Sequence, residues 1–303
     1  MKVSIIIPTH NRAKLLKRAL ESTLNQTYKN IEVIVVSDGS TDNTDIVMDE
    51  YKRDSRVNFI SYHPAKGGNY ARNTGIKNAK GEFIAFLDDD DEWMPDKLEL
   101  QIKEFNQNAN VGLVYTGVEI IYNFNKRNIK YYSLPKKTGN LSKEILVANC
   151  IGTTSSVMVR KNLITECGMF DEKLKARQDY DLWIRVCQKT LVGVVNKPLV
   201  RYYNYTTNKQ ISDDIKKYES AIEYIDNKYV DLYSKVSEEI RRKHRHSMTM
   251  LIVNKALRNQ SPKVARAYLK NSFLKRPTLT AIIMYMLSFL KYETILKIRT
   301  IRS

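Results

Sequence analysis

At 303 residues the chain can bury a sizeable core in one large domain, or in a domain of about 200 residues followed by a smaller helical one, without staples. Three widely spaced cysteines, Cys150, Cys167 and Cys187, argue against a disulfide framework and fit a reducing compartment. The net charge of +17 is uneven: residues 1–240 hold 35 Lys and Arg against 32 Asp and Glu, whereas 241–303 hold 15 against the single acid Glu293.

Along the chain, short β-branched runs alternate with amphipathic stretches, the pattern of strands in a mostly parallel sheet joined by crossover helices. Val3 to Ile7, Ile31 to Val36, Val57 to Ser61 and Phe83 to Leu87 are predicted strands; Ala13 to Asn25, Asp42 to Lys52, Tyr70 to Ala79 and Pro95 to Phe105 are predicted helices. Met1 to Pro8 enters a strand pattern without the basic region and long apolar run of a secretory signal, so the chain is expected to stay in the cytosol. From Val111 the pattern turns to Tyr-rich strands mixed with short helices, and this half is expected to complete the same domain. Helical periodicity starts at Asp213 and Asp214 and runs to the C-terminus, which sets a boundary near 212: a domain over 1–212, in halves 1–110 and 111–212, then a basic helical region over 213–303.

The basic tail is drawn to polyanions, lipid headgroups or nucleic acid. Thr278 to Leu290 is apolar over only thirteen residues, short of the roughly 20 that span a bilayer. Flanked by Lys275, Arg276 and Lys291, it reads either as a helix lying in the interface of an anionic membrane or as a buried helix of a small bundle.

Parallel sheets bind ligands at the carboxyl ends of their strands, so the polar residues after each apolar run carry the interest. Pro8-Thr9-His10-Asn11-Arg12 follows the first strand, Ser37-Asp38-Gly39-Ser40 the second and Asp88-Asp89-Asp90-Asp91 the fourth. Successive aspartates repel one another unless a cation or solvent relieves them. They either hold Mg2+ or Mn2+, which take hard oxygen ligands and share themselves with substrate phosphates, or form a solvated loop capping the next helix. Asp38 can accept a hydrogen bond from a nucleobase or belong to a turn, and His10 can stack on a base or pack in its loop. Asn69 and Arg72 follow Gly67-Gly68, where flexible backbone and a cation suit a phosphate or carboxylate, although such a pair often marks only a turn. Arg177-Gln178-Asp179-Tyr180-Asp181-Leu182-Trp183 opens a helix. Its aspartates favour the helix dipole, or include a general base beside an aromatic acceptor platform.

In this order the motifs closely resemble the family 2 glycosyltransferases with a GT-A fold, over roughly residues 1–212. Val3 to Arg12 resembles the family's opening strand and loop, and Val35 to Asp42 its nucleotide-binding turn. Ala71 to Gly75 through Gly81 to Trp93 resembles the stretch ending in its Asp-X-Asp signature, while Gly168 to Glu172 and Gln178 to Trp183 resemble its acceptor-side motifs. The resemblance implies an inverting transferase, metal-dependent through Mn2+ or Mg2+, acting on a nucleotide-sugar donor, UDP-linked by preference. It implies that Pro8, His10 and Asp38 contact the base, that Arg12, Asn69, Arg72 and Asp89 lie near the nucleotide, that Asp88 approaches the ribose and that Asp88 and Asp90 hold the metal. Asp179 would be the base, with Asp181 the competing candidate and Gln178 and Trp183 on the acceptor side.

Three departures stand out: His10 where many members have Tyr, Gln178 where Glu is frequent, and no histidine from Arg201 to Ser212, where Tyr205 occupies about the place of a usual metal or diphosphate neighbour. The acceptor is expected to be a cell-surface glycan or a lipid-linked precursor. The Lys-, Asn- and Ile-rich composition fits an AT-rich bacterial genome and so capsule, exopolysaccharide or teichoic-acid assembly, at the inner face of the membrane. Competing readings fit less well. A sugar nucleotidyltransferase needs a Gly-rich basic loop that Pro8 to Arg12 does not offer, and a nucleic-acid-binding protein would explain the tail but leave the acidic strand end without a role.

Overall fold

The computed structural model describes residues 1–124, 127–205, 214–275 and 278–300. The apolar runs form β1 (Val3–Thr9), β2 (Ile31–Asp38), β3 (Val57–Tyr62) and β4 (Phe83–Phe86), with α1 (Ala13–Leu24), α2 (Thr44–Asp49) and α3 (Gly68–Asn78) between them. β1, β2 and β4 are buried on both faces, as parallel strands covered by helices must be. Side chains alternate across β1: Val3, Ile5 and Ile7 enter one core, Ile6 the other. α1 buries Ala13, Leu16, Ala19, Leu20 and Thr23, a stripe at helical spacing, against the first of these cores. α3 lies so close to β1 that a Cβ at Gly75 would come within 2.5 Å of Ile6 Cγ2.

The second half follows as β5 (Glu92–Trp93), α4 (Lys97–Gln107), β6 (Val111–Phe124), β7 (Arg127–Ser133), α5 (Glu144–Val147), a 3-10 turn Thr154–Ser156, β8 (Val157–Arg160), α6 (Lys161–Glu166), α7 (Gln178–Cys187) and β9 (Leu191–Tyr205). Among the described residues one nine-stranded sheet runs β3-β2-β1-β4-β8-β6-β9-β5, with β7 paired to β6. The parallel pairing expected for most of the sheet is found in β3-β2-β1-β4; beyond β4 the sheet is mixed, antiparallel at β4/β8 and β8/β6 and parallel at β6/β9.

The C-terminal region is α8 (Ile215–Lys228), α9 (Val230–Ser234), α10 (Glu238–Arg258), α11 (Pro262–Lys275), α12 (Leu279–Leu287) and α13 (Tyr292–Thr300). Asp214, Ser237 and Thr278 cap α8, α10 and α12 by accepting backbone N–H bonds. The expected boundary near 212 lies outside the described residues. α8 and α9 add Ala221, Ile225, Tyr229 and Tyr233 to the core that covers α7, whereas α10 to α13 close a separate core around Val253, Ala256, Leu269 and Ala281. The apolar segment packs one side into this core, with Ala281 and Met284 buried, and leaves the other open, with Leu279 73% and Phe289 65% exposed. No helix among the described residues is long and apolar enough to cross a membrane. The three cysteines are free thiols, and burial pushes Cys150 up to about 11.

Candidate active site

β1 pairs with β2 on one side and β4 on the other, so the chain leaves β1 where the strand order reverses and a crevice opens beyond the carboxyl ends. A cavity of about 700 Å³ lies there, lined by Pro8, His10 and Arg12 after β1, Asp38 at the end of β2, Arg72 on α3, and Asp88, Asp89 and Asp90 after β4. Across it stand Gln178 and Asp179 at the start of α7, with Gly152, Thr153, Tyr202 and Tyr218.

The acidic loop is held by specific partners. Asp89 is buried and held through both oxygens, accepting from Thr9 Oγ1 at 2.8 Å and Arg12 Nη1 at 3.0 Å. Asp91 is fully buried, turned away from the cavity and hydrogen-bonded by Ser155 Oγ at 2.6 Å; burial and its acidic neighbours raise its pKa far above the carboxylate range. Asp88 and Asp90 remain as the carboxylates facing the cavity, each touched by one guanidinium: Arg72 Nη2 at 2.6 Å from Asp88 and Arg12 Nη1 at 3.1 Å from Asp90. Burial, with Asp88 and Asp89 beside it, raises Asp90 to about 6. A carboxylate pushed toward protonation in this way is one that a cation relieves. With Asp89 and Asp91 buried, and α4 starting without a side-chain cap, the loop differs from a solvated cap of that helix.

Asp38 serves the turn that its sequence also allowed, accepting from Lys66 N at 2.6 Å and Gly67 N at 2.8 Å while lining the cavity. His10 Nδ1 lies 2.5 Å from the Asp38 carbonyl oxygen, which fixes that nitrogen as a donor and presents the ring at the rim. Gly39, at φ +67°, allows this crossing, since a Cβ there would lie 2.6 Å from Ala65 N.

On the opposite wall, Arg177 in the left-handed region starts α7 without a side-chain cap. Asp179 accepts from Asn149 Nδ2 at 3.0 Å. Burial lifts its carboxyl above the usual range, against the pull of Arg177 and Arg72.

Three expected site residues are not brought to the cavity. Asp181 sits about 200° round the helix from Asp179, fully buried, ion-paired to Arg185 at 2.7 Å and Lys228 at 2.8 Å and hydrogen-bonded by the Tyr229 hydroxyl at 2.8 Å. Trp183 lies one turn below Asp179 in the core rather than forming a platform. Asn69 is buried and donates to the carbonyls of Asp171 and Leu174, tying α3 to the loop before α7. Sequence reasoning missed Asn149, Ser155, Tyr202 and Tyr218. The polar run Asn149 to Ser156 was the available signal for the first two. The place expected for Tyr205 is only partly visible, because its side chain and residues 206–213 lie outside the described residues.

A family model described as Glycosyl transferase family 2 matches residues 4–163, more than half of the chain. The chain belongs to this family. The transferase is 37% identical over 195 residues to the UDP-Glc:alpha-D-GlcNAc-diphosphoundecaprenol beta-1,3-glucosyltransferase WfgD of Escherichia coli, covering 64% of the chain and 73% of that protein. Among solved structures it is similar to S. aureus TarS 1-349 in complex with UDP-GlcNAc, with a TM-score of 0.65 at 20% identity over 95% of this chain and 79% of that one. The mannosyltransferase PcManGT from Pyrobaculum calidifontis, in complex with GDP-Man and Mn2+, gives 0.61 at 17% identity over 97% and 83%. The fold of the transferase is thus GT-A, followed by its helical region.

Proposed function

We propose that the transferase moves a sugar from a nucleotide diphosphate, UDP-linked by preference, to a hydroxyl of a cell-surface glycan or lipid-linked precursor, inverting the anomeric centre. The observation that carries this reading is the pairing, across one cavity, of the Asp88/Asp90 carboxylates with Asp179. The name of the E. coli relative supports it, giving a UDP-sugar as donor and a diphosphoundecaprenol-linked sugar as acceptor.

A divalent cation fits the donor set: two hard carboxylates, one of them held up to about 6 by burial and its neighbours. Among the described residues no group of three or more His, Cys, Asp or Glu is arranged to hold a metal. Mg2+ and Mn2+ complete their shells with water and phosphate oxygens. Held by Asp88 and Asp90, such an ion would supply charge neutralisation for the departing diphosphate. Arg12 and Arg72 add positive charge beside the same carboxylates. Asp179, oriented by Asn149, takes the proton of the acceptor hydroxyl; that oxygen bonds to the anomeric carbon as the bond to the diphosphate breaks on the opposite face. Pro8, His10 and Asp38 form the wall for the base. The basic tail and the exposed apolar side of α12 support peripheral contact with an anionic membrane.

The test is a nucleotide-sugar hydrolysis and transfer screen with and without Mn2+. Asp90→Ala should lose metal-dependent donor binding, and Asp179→Asn should bind donor but transfer poorly. Full transfer by both variants would overturn the assignment.

A further inference from the structure

A second, larger cavity lies beside the first and has no part in the chemistry described so far. About 1080 Å³ in volume, it is floored by Tyr122 and Asn204, paired across β6 and β9, and walled by the end of α10, the start of α11 and the turn between α12 and α13. Its position follows from strand geometry. Tyr202 lines the catalytic cavity, and Asn204, two residues on and on the same face of β9, lines the second. The two spaces are therefore lined by neighbouring residues of one strand face, Tyr202 opposite Ile120 and Asn204 opposite Tyr122 in the β6/β9 register.

The lining has a definite chemistry. Arg258, Arg266 and Lys291 bring positive charge, against the single carboxylate of Glu293, which pairs with Lys297 at 3.0 Å. Leu257, Phe289 and Leu290 are apolar, and Phe289 and Leu290 continue onto the exposed face of α12 through Leu279, Ile282 and Met286. Within the floor, Asn204 is only 3% exposed, yet its Oδ1 has no hydrogen-bond partner among the described residues. A buried acceptor atom of this kind is costly unless a ligand hydroxyl or water meets it.

Cations, an adjoining apolar track that runs out to the surface, and a lone acceptor atom match one class of molecule. We propose that this cavity holds the anionic linker of the acceptor, a phosphate or diphosphate ester of a long apolar chain carrying a sugar. The linker would lie against Arg258 and Lys291 and the chain along Phe289 and α12. The sugar would pass Asn204 and reach the catalytic cavity beyond Tyr202. A recess takes a single head group, whereas a bilayer surface would need only the outer face of α12. The inference rests on the transfer reading above and assigns its acceptor a place.

The test uses calorimetry on the full chain with the donor cavity saturated by UDP, and farnesyl diphosphate and inorganic diphosphate as probes. Farnesyl diphosphate should bind at least about ten-fold more tightly than inorganic diphosphate, because burying several methylenes is favourable. Arg258→Gln with Lys291→Gln should weaken both probes by about ten-fold or more, the scale of a lost charge-assisted hydrogen bond. Phe289→Ser, at an exposed position, should erase much of the farnesyl advantage and weaken inorganic diphosphate far less, since the Arg266 guanidinium 4.7 Å from this ring keeps its bond to the Ser288 carbonyl. UDP binding should be the same in every variant, which separates loss of the site from loss of the fold. Equal affinity for the two probes, or variants that bind farnesyl diphosphate like the parent, would overturn the proposal. So would monomeric dihexanoyl phosphatidylglycerol competing as well as farnesyl diphosphate, which would assign the cavity to membrane headgroups. Failure of the parent chain to bind UDP would instead count against the donor reading, and farnesyl diphosphate binding would still be read directly.

Discussion

Asp179→Asn removes the proposed base while keeping its shape. A positioned general base contributes about 10² to 10⁴ in rate, so turnover should fall by that factor with donor affinity unchanged. The pH profile carries the sharper test. The parent must have Asp179 ionised to work, and burial raises its pKa, so transfer should be lost as pH falls through a value above the ordinary 3.9 or so of an aspartate. Asn149 Nδ2 donates to Asp179 Oδ2 at 3.0 Å and so favours the ionised form. A hydrogen bond to a charged group is worth about 1.5–3 kcal/mol, and one pH unit corresponds to about 1.4 kcal/mol. Asn149→Ala should therefore move the acid limb upward by about one to two pH units. The stability sign runs opposite to activity: with its folded pKa raised, Asp179 contributes stability that is fully present below its unfolded pKa and lost as pH rises through the folded value. At neutral pH Asp179→Asn should consequently have the same or a higher Tm than the parent. Steady-state transfer from pH 4 to 9, with scanning calorimetry, reads all of this. An acid limb unmoved in Asn149→Ala, or near-parental transfer by Asp179→Asn, would refute the reasoning.

Asp181→Asn should do the reverse. Removing one partner of a buried ion pair costs about 3–5 kcal/mol, so denaturant unfolding should shift to lower concentration while the folded fraction keeps its acid limb. Gly75→Ala drives a methyl to 2.5 Å from Ile6 Cγ2 and should destabilise by about 1–3 kcal/mol, again measured by unfolding. Leu279→Ser with Met286→Ser alters exposed side chains and should reduce cosedimentation with phosphatidylglycerol vesicles without lowering Tm; unchanged sedimentation would remove α12 from the membrane surface.

The sequence was most legible where local pattern and tertiary role coincide. Val3 to Ile7 and Ile31 to Val36 are apolar because both faces are covered, and the run itself announces the strand. The ladder then carries β1 to Thr9 and β2 to Asp38, two residues further than hydropathy could extend them, because Thr9 and Ser37 are still in register. The residues around the cleft were readable from strand ends. What could not be read was which of two nearby aspartates faces it, since Asp179 and Asp181 lie about 200° apart on a helix whose phase the packing sets. Asn149 was beyond reach for a different reason: it meets Asp179 from thirty residues away, through a loop with no periodicity. The link between the helical region and the catalytic half was likewise hidden, because Tyr229 and Tyr233 look like ordinary helix residues until they are seen packed with α7.

The most direct measurement is a crystal structure of the transferase soaked with a UDP-sugar and Mn2+. Nucleotide density between Asp38 and Asp88, a cation on Asp88 and Asp90, and the Asp179 carboxylate facing the sugar is the result this account requires. Nucleotide bound elsewhere, no cation beside Asp90, or Asp179 turned from the sugar would contradict it.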